Sequence, residues 1–454
     1  MAMESINPAT GERLKAFTPW STAQLDQALA LAARATPGWQ ATPFAERARL
    51  LRAAAEELRK NAAEYAALIT REMGKLIKEA RAEVEKCAWA CEFYADNAAK
   101  FLQDEVIGSD AGKSYVAYLP LGTLLAVMPW NFPFWQAFRA AAPALMAGNT
   151  IVLKHASNVP QCALAIEEVF RRVEFPPGVF QTLLIGPEQA ERLIADPRIH
   201  AVTLTGSEAA GRKIAAAAGR ELKKTVLELG GSDAFVVLPD ADLDEAASVG
   251  VAARFLNAGQ SCIAAKRFIL VESIADAYIA KFKQKALALK PGDPMKDDTT
   301  LASLARPDLR DQLHRQVTDS IKVGAKPAFG CEPLSGPGNF YQPSLLDRVG
   351  PGMRAYDEEL FGPVAIVLRA RDEDDALRLA NDNRYGLGGS VWTKDTAKGE
   401  RFARRLQSGA SFVNGMVKSD PRLPFGGVKA SGYGRELSVL GIREFVNAKT
   451  VWIK

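Results

Sequence analysis

The sequence GQSC at 259–262 ends on a cysteine, and a thiolate adds readily to a carbonyl carbon. Taken alone, Cys262 is equally a buried structural thiol. Thirty-four residues upstream, ELGGSD at 228–233 sets Glu228 beside two glycines, where backbone can approach a ligand closely. A carboxylate there suits a general base acting on water or on the thiol; the alternative is a strand-end glutamate facing solvent. PWNFP at 129–133 holds Asn131 between prolines that restrict the backbone around it. A rigid amide can donate to a developing oxyanion, and a turn asparagine is the competing explanation. TGSEAAG at 205–211 follows an apolar run and opens a helical one, so its N–H groups can meet a phosphate. It is not the GxGxxG fingerprint, and a generic turn explains it as well.

Composition excludes several other chemistries. The chain has 454 residues, which points to more than one domain. Its 57 basic and 53 acidic residues leave a net charge of +4, too little to imply nucleic acid or membrane partners. The first residues carry polar and acidic groups where a secretory signal would be apolar, and no run of ~18 apolar residues suggests a membrane span. Five scattered cysteines argue for free thiols in a reducing compartment, the cytoplasm. Only His155, His200 and His314 are available as imidazole ligands, so no metal site is expected. Serine–histidine catalysis is poorly supplied for the same reason.

The elements that must position these residues follow from periodicity. Segments 22–35, 44–71 and 78–101 carry apolar residues at three- and four-residue spacing and read as helices. Residues 106–120 read as a hairpin. Apolar runs at 124–130, 150–155, 179–186 and 201–206 alternate with helical stretches at 134–147, 159–173, 188–196 and 208–222. That alternation predicts a parallel sheet with crossover helices, which binds ligands outside the carboxyl ends of its strands. A second series runs from 234, with a helix over 244–257, to about 432. Residues 333–343 form a glycine- and proline-rich loop. The tail VNAKTVWIK reads as a strand needing a partner, either the hairpin near residue 110 or another subunit.

In order along the chain, PWNFP, TGSxxxG, ELGG, GQxC, EELFGPV at 358–364 and PFGGVKASGYGRE at 424–436 resemble the NAD(P)-dependent aldehyde dehydrogenase superfamily. KHASN at 154–158, with VLELGGSD and RELS, resembles its short bacterial succinate-semialdehyde dehydrogenase branch. The resemblance covers essentially the whole chain. It implies an α/β fold with a Rossmann-type cofactor domain (1–104 and 122–230) and an α/β catalytic domain (231–432). A β-hairpin oligomerisation arm (105–121 and 444–454) completes it, in a homodimer or homotetramer.

The same resemblance implies roles for particular residues. Cys262 matches the nucleophile, Glu228 the general base, and Asn131 with the Cys262 N–H the oxyanion hole. Trp130, Gly206 and Ser207 match positions near the pyrophosphate, and Lys154 matches a residue on the adenosine ribose. Glu359 and Phe361 match residues at the nicotinamide ribose and ring. Glu436 matches a second carboxylate that relays protons, although Ala140 replaces a relay lysine common in relatives. Ser157 stands where strict NAD enzymes often carry a glutamate that repels a 2′-phosphate, so NADP is expected alongside NAD.

Arg139 and Ser419 are the expected contacts for a substrate carboxylate. A surface ion pair is the other reading of Arg139. Some relatives use an arginine at the position of Leu256, for which Arg254 is a candidate substitute. Phe134, Trp135 and Phe138 are expected in tunnel walls or in the core. The implied reaction is oxidation of succinate semialdehyde to succinate through a cysteine thiohemiacetal and thioester. A broader aliphatic or other ω-carboxyl range is the alternative, and Glu228 argues against a CoA-acylating rival. No cysteine neighbours Cys262, so a regulatory disulfide beside it is not expected.

Overall fold

Strands Thr123–Met128, Thr150–His155, Phe180–Thr182, Ala201–Thr205 and Lys224–Glu228 form one parallel sheet. They are mostly buried, as expected of parallel strands with both faces covered. From one edge the order is Gly432–Tyr433, Lys224–Glu228, Ala201–Thr205, Thr123–Met128, Thr150–His155, Phe180–Thr182. The chain leaves Thr123–Met128 in one direction and returns to its other side at Ala201–Thr205. That reversal is the topological switch point where such sheets bind ligands. The computed structural model describes residues 3–454, so the first two residues of the 1–104 segment lie outside the described residues.

A second sheet of seven strands is built from Asp233–Val413. Its order is Lys326–Phe329, Ser344–Asp347, Val364–Ala370, Ala265–Val271, Asp233–Val237, Gly388–Trp392, Ala410–Val413. Only Lys326–Phe329 runs antiparallel. In a third sheet the tail strand Val446–Ile453 pairs with Lys113–Pro120 along its whole length, Val446 opposite Pro120 and Ile453 opposite Lys113. The partner of the lone tail strand is therefore this chain's own hairpin.

Several elements differ from the sequence pattern for identifiable reasons. The helix expected over 44–71 is two helices, Phe44–Lys60 and Ala62–Met73. Asn61 sits between them outside the helical region, its amide on the Glu57 carboxylate at 2.7 Å. Asparagine side chains compete with the helix for such partners. The run at 179–186 contributes only Phe180–Thr182. The run at 124–130 ends at Met128, before a proline with no N–H for a ladder. The helix expected to reach Asn257 stops at Phe255, because Asn257 and Ala258 both adopt φ of +53°. Phe134 and Phe138 are fully buried and stack in a row with Phe170 and Phe180, at centroid spacings of 6.4, 5.3 and 4.5 Å. They are core residues, not tunnel walls.

The Gly432–Tyr433 strand matters to the site because Gly432 pairs with Glu228. Its φ is +110°, and a methyl group there would run into the Leu227 carbonyl. Gly432→Ala should therefore cost about 1–3 kcal/mol of stability in denaturant unfolding and lower turnover as well. Gly219→Ala is the control: a methyl there meets nothing within 4 Å, on the exposed last turn of a helix. It should be neutral or stabilise by up to ~1 kcal/mol.

Candidate active site

A cleft of about 760 Å³ opens at the switch point. One wall comes from the end of Thr123–Met128, including Trp130 and Asn131, and from Lys154. The opposite wall is Gly206, Ser207 and the start of the helix Glu208–Arg220. The second sheet contributes Glu359 and Phe361, and Cys262 lies within the same lining. Trp130 and Phe361 meet edge to face at 5.8 Å, joining the two walls. A slightly larger cavity, about 840 Å³, lies between the N-terminal segment and residues 291–295. It holds none of the residues singled out by chemistry, so volume alone does not locate the site.

Cys262 follows a tight loop. Asn257, Ala258 and Gly259 are three consecutive residues with positive φ. At Gly259 any side chain would strike the Gly362 carbonyl. Arg254, fully buried, donates to the carbonyls of Gly259 (2.9 Å), Ala265 (3.2 Å), Leu360 (3.3 Å) and Gly362. It ties the cysteine loop to the Glu359–Phe361 loop. Arg254 is thus spent on backbone and does not substitute for a substrate arginine at Leu256.

Lys266 was not singled out by the sequence. Its ammonium donates to the carbonyls of Ser261 and Cys262, both at 2.9 Å, and pairs with Glu359 at 3.2 Å. Glu359 also accepts the Gly231 N–H at 3.1 Å. A lysine four residues past the cysteine, beside Arg267 at the start of the apolar run Phe268–Val271, was the available signal.

Asn131 donates one amide hydrogen to the Gln260 carbonyl at 3.1 Å. Asn257 reaches the same carbonyl at 3.1 Å and the Asn131 carbonyl at 2.8 Å. The second hydrogen of the Asn131 amide is unused, and the Cys262 N–H has no acceptor among the described residues. Two spare donors thus belong to residues that line the same cleft.

Burial governs the ionisable groups. The Cys262 thiol is pushed up to about 12 by desolvation, opposed by the charges of Arg139 and Lys266. Cys262 keeps partial exposure to the cleft, and the other four cysteines are buried. Glu228 does not line the cleft wall; it is buried behind it at the end of its strand. Both its oxygens lack a hydrogen-bond partner. Desolvation, then the charge of Glu436, holds its carboxyl well above the usual range, while Arg139 and Arg435 pull it down.

Arg139 is neither in an open tunnel nor on the surface. It is buried, ion-paired with Glu436, hydrogen-bonded to Thr205 at 3.0 Å and stacked over Phe425 at 4.6 Å. Its Nε is paired with Glu436 and its Nη2 with Thr205, while its charge bears on Cys262. Ser419 is buried and accepts from Lys86 at 2.7 Å. Ser157 is exposed, beyond the end of Thr150–His155 and outside the cleft lining. Among the described residues, no cluster of histidine, cysteine and carboxylate side chains is arranged to hold a metal ion.

A cleft at a switch point that opens on a cysteine is the arrangement of a dinucleotide-dependent enzyme acting on a carbonyl. The chain belongs to the aldehyde dehydrogenase family, whose profile matches residues 1–451. It is 53% identical to a probable succinate-semialdehyde dehydrogenase [NADP(+)] of Synechocystis sp. over 453 residues, all of both chains. It is 52% identical to a succinate-semialdehyde dehydrogenase [NADP(+)] of Mycolicibacterium paratuberculosis, covering all of this chain and 97% of that one. The solved structure of a succinic semialdehyde dehydrogenase from Streptococcus pyogenes with NADP+ superposes with a TM-score of 0.98 at 38% identity, covering both chains fully.

In the resting site the raised pKa means a protonated thiol at neutral pH. Its alkylation by iodoacetamide should accelerate about tenfold per pH unit from pH 7 to 10, where an ordinary thiol near ~8.5 levels off. Cys262 is the exposed target, so the label should map there. A plateau below pH 9 would contradict the desolvated sulfur.

Proposed function

We propose that this enzyme oxidises succinate semialdehyde to succinate with NADP, accepting NAD as well. The observation that carries the reading is the convergence of Cys262, the spare Asn131 hydrogen and the buried Glu228 at one end of a dinucleotide-sized cleft. Full-length identity to relatives named for this reaction supports it.

The chain's residues fit a dinucleotide. The cleft volume lies within the ~300–1,000 Å³ typical of ligand pockets. Lys154 lies half-buried without a carboxylate partner, and desolvation holds its ammonium below its usual pKa, so an anionic or polar ligand group would relieve it. At Gly206, just before the start of a helix, an added methyl would be in ordinary contact with Leu204, at 3.6 Å. Trp130 and Ser207 would flank the pyrophosphate; Glu359 and Phe361 would hold the nicotinamide end. When bound, the nicotinamide supplies a hydride acceptor.

The steps at the protein follow. The Cys262 sulfur, once deprotonated, bonds to the aldehyde carbon to give a thiohemiacetal. Asn131 and the Cys262 N–H stabilise the oxyanion. Loss of hydride leaves a thioester on Cys262. Glu228 takes a proton from water, the resulting hydroxide attacks the thioester, and the acid departs as the thiol is regenerated. Arg139 and Glu436 act behind Glu228, setting its charge.

The sheets support division into a cofactor unit (1–104 and 122–230), a catalytic unit (231–432) and an arm (105–121 and 444–454). The Gly432–Tyr433 strand crosses back to the first sheet. Val106, Ile107, Trp452 and Ile453 are exposed on the arm, which suits a homodimer or homotetramer. No helix among the described residues is long and apolar enough to cross a membrane. Five unpaired cysteines suit the cytoplasm.

The reading is tested by NADPH formation from succinate semialdehyde and from butanal. The semialdehyde should be favoured at least tenfold in kcat/KM; equal efficiency would overturn the assignment. Asn131→Ala should lower kcat by about 10²–10³ while the protein stays folded. Ser157→Glu should shift cofactor preference from NADP toward NAD, by ten- to a hundredfold in the ratio of kcat/KM values. An unchanged ratio would show that Ser157 does not face the 2′-phosphate.

A further inference from the structure

The cleft wall holds one contact that no motif marked. Arg384 precedes the short strand Tyr385–Gly386, on the segment that leads into Gly388–Trp392 of the second sheet. Its carbonyl accepts the Ala430 N–H at 3.0 Å, and Tyr385 pairs antiparallel with Lys429, so the backbone is fixed here. The Arg384 guanidinium reaches the carboxylate of Glu208, the first residue of the helix Glu208–Arg220 that follows Ala201–Thr205 of the first sheet. Both residues line the cleft, one from each sheet's side. The ion pair therefore spans the gap between the two sheets.

Glu208 serves two cations. Arg212, one turn along the same helix, donates to it at 2.9 Å. Arg384 has no other carboxylate within 4 Å among the described residues. Two guanidiniums thus share one anion, and one positive charge is unmatched at this point of the cleft. Arg306, a third arginine of the lining, is held by Asp308 at 2.9 Å instead. The Arg384 side chain is 53% exposed. An ion pair that open to water is weak, so a competing anion can take its cation.

We propose that Arg384 exchanges the Glu208 carboxylate for the pyrophosphate of the cofactor, so that Glu208 is a built-in competitor for cofactor binding. This rests on the dinucleotide reading above and adds to it a pair of residues that the motifs did not supply. Ser207, which adjoins Glu208, is the residue proposed to flank the pyrophosphate. The anion that Arg384 holds therefore lies one residue from the seat of the other. A guanidinium presents paired donors to a phosphate as it does to a carboxylate. The exchange also settles the charges. Arg212 keeps Glu208, Arg384 takes the phosphate, and each cation has its own anion. Glu208 sets the affinity from the other direction, because every dinucleotide that binds must displace it from Arg384.

The test reads binding rather than turnover. NADP is titrated into the full-length enzyme without aldehyde and followed by tryptophan fluorescence, for which Trp130 in the cleft wall is the reporter. Arg384→Gln should raise the Kd for NADP about three- to tenfold, and Arg384→Lys by less. Glu208→Gln should lower the Kd about two- to fivefold, because it releases the guanidinium. That gain should vanish when Arg384→Gln is also present. A strap that only braces the two walls predicts weaker binding on loss of either partner. A Kd within twofold of wild type in Arg384→Gln would overturn the proposal. So would unchanged or weaker binding in Glu208→Gln, or a gain that survives in the double variant. NAD should lose as much as NADP in Arg384→Gln; a loss confined to NADP would place the guanidinium at the 2′-phosphate and overturn the assignment to the pyrophosphate. Wild-type enzyme that binds neither dinucleotide would instead overturn the cofactor reading itself.

Discussion

Two sealed carboxylates share the charge of Arg139, with a smaller pull on Glu228 from Arg435, and the candidate site depends on that shortage of positive charge. Arg139 pairs with Glu436, while Glu228 lies within the field of both. Two ionised carboxylates and one cation cannot all be kept charged cheaply away from water. Burial holds both carboxyls above the usual range, Glu228 the further of the two because the charge of Glu436 adds to its desolvation. Arg139 also favours the Cys262 thiolate, so one charge biases the thiol and the carboxyl together. Removing one member of a buried pair typically costs about 3–5 kcal/mol. The helix Pro133–Met146, the Glu436 turn and the strand ending at Glu228 must therefore meet before any of the three groups is tolerable.

Positioning of the sulfur relies on backbone carbonyls rather than on side chains. Arg254 and Lys266 are buried cations whose donors are directed mostly at peptide oxygens of two loops. Burial without a formal anion holds Arg254 down at about 9. Carbonyl dipoles supply what a carboxylate would otherwise supply, and they do so only if both loops keep one geometry. The three left-handed residues before Cys262 carry strain that these donors hold in place. The cysteine loop is consequently rigid relative to Glu359 and Phe361, at the nicotinamide end proposed for the cleft.

Much of this arrangement was legible in the chain. Alternation of apolar runs with helical stretches gives the parallel sheet and its crossovers, because buried strands and amphipathic helices have different periods. PWNFP and GQSC mark Asn131 and Cys262, which line one cleft, and ELGG marks Glu228, which is buried behind its wall. What stayed hidden depends on partners far apart in sequence. Nothing at Arg139 reveals that Glu436, almost three hundred residues later, neutralises it. Lys86 sits in a charged helical stretch where lysine is ordinary, and only the fold places it over Trp135. Arg254 looks like a substrate candidate until its donors are seen on carbonyls. The break at Asn61 and the left-handed turn at Asn257 are single-residue choices that periodicity averages away.

The freedom of Glu228 follows from the same buried geometry. Neither of its oxygens is hydrogen-bonded, and a methyl group at Gly426 would come within 2.7 Å of its carboxyl. Turning the side chain out of the pocket breaks no hydrogen bond. A protonated carboxyl loses little by staying beside Glu436. An ionised one is repelled there and gains by moving toward the wetter cleft, where Leu229 and Gly230 already form the wall. Proton state and position are therefore linked in one residue. In the role proposed for Glu228 that coupling would carry the carboxylate toward the cleft as it ionises, and it arises from an unbalanced buried charge.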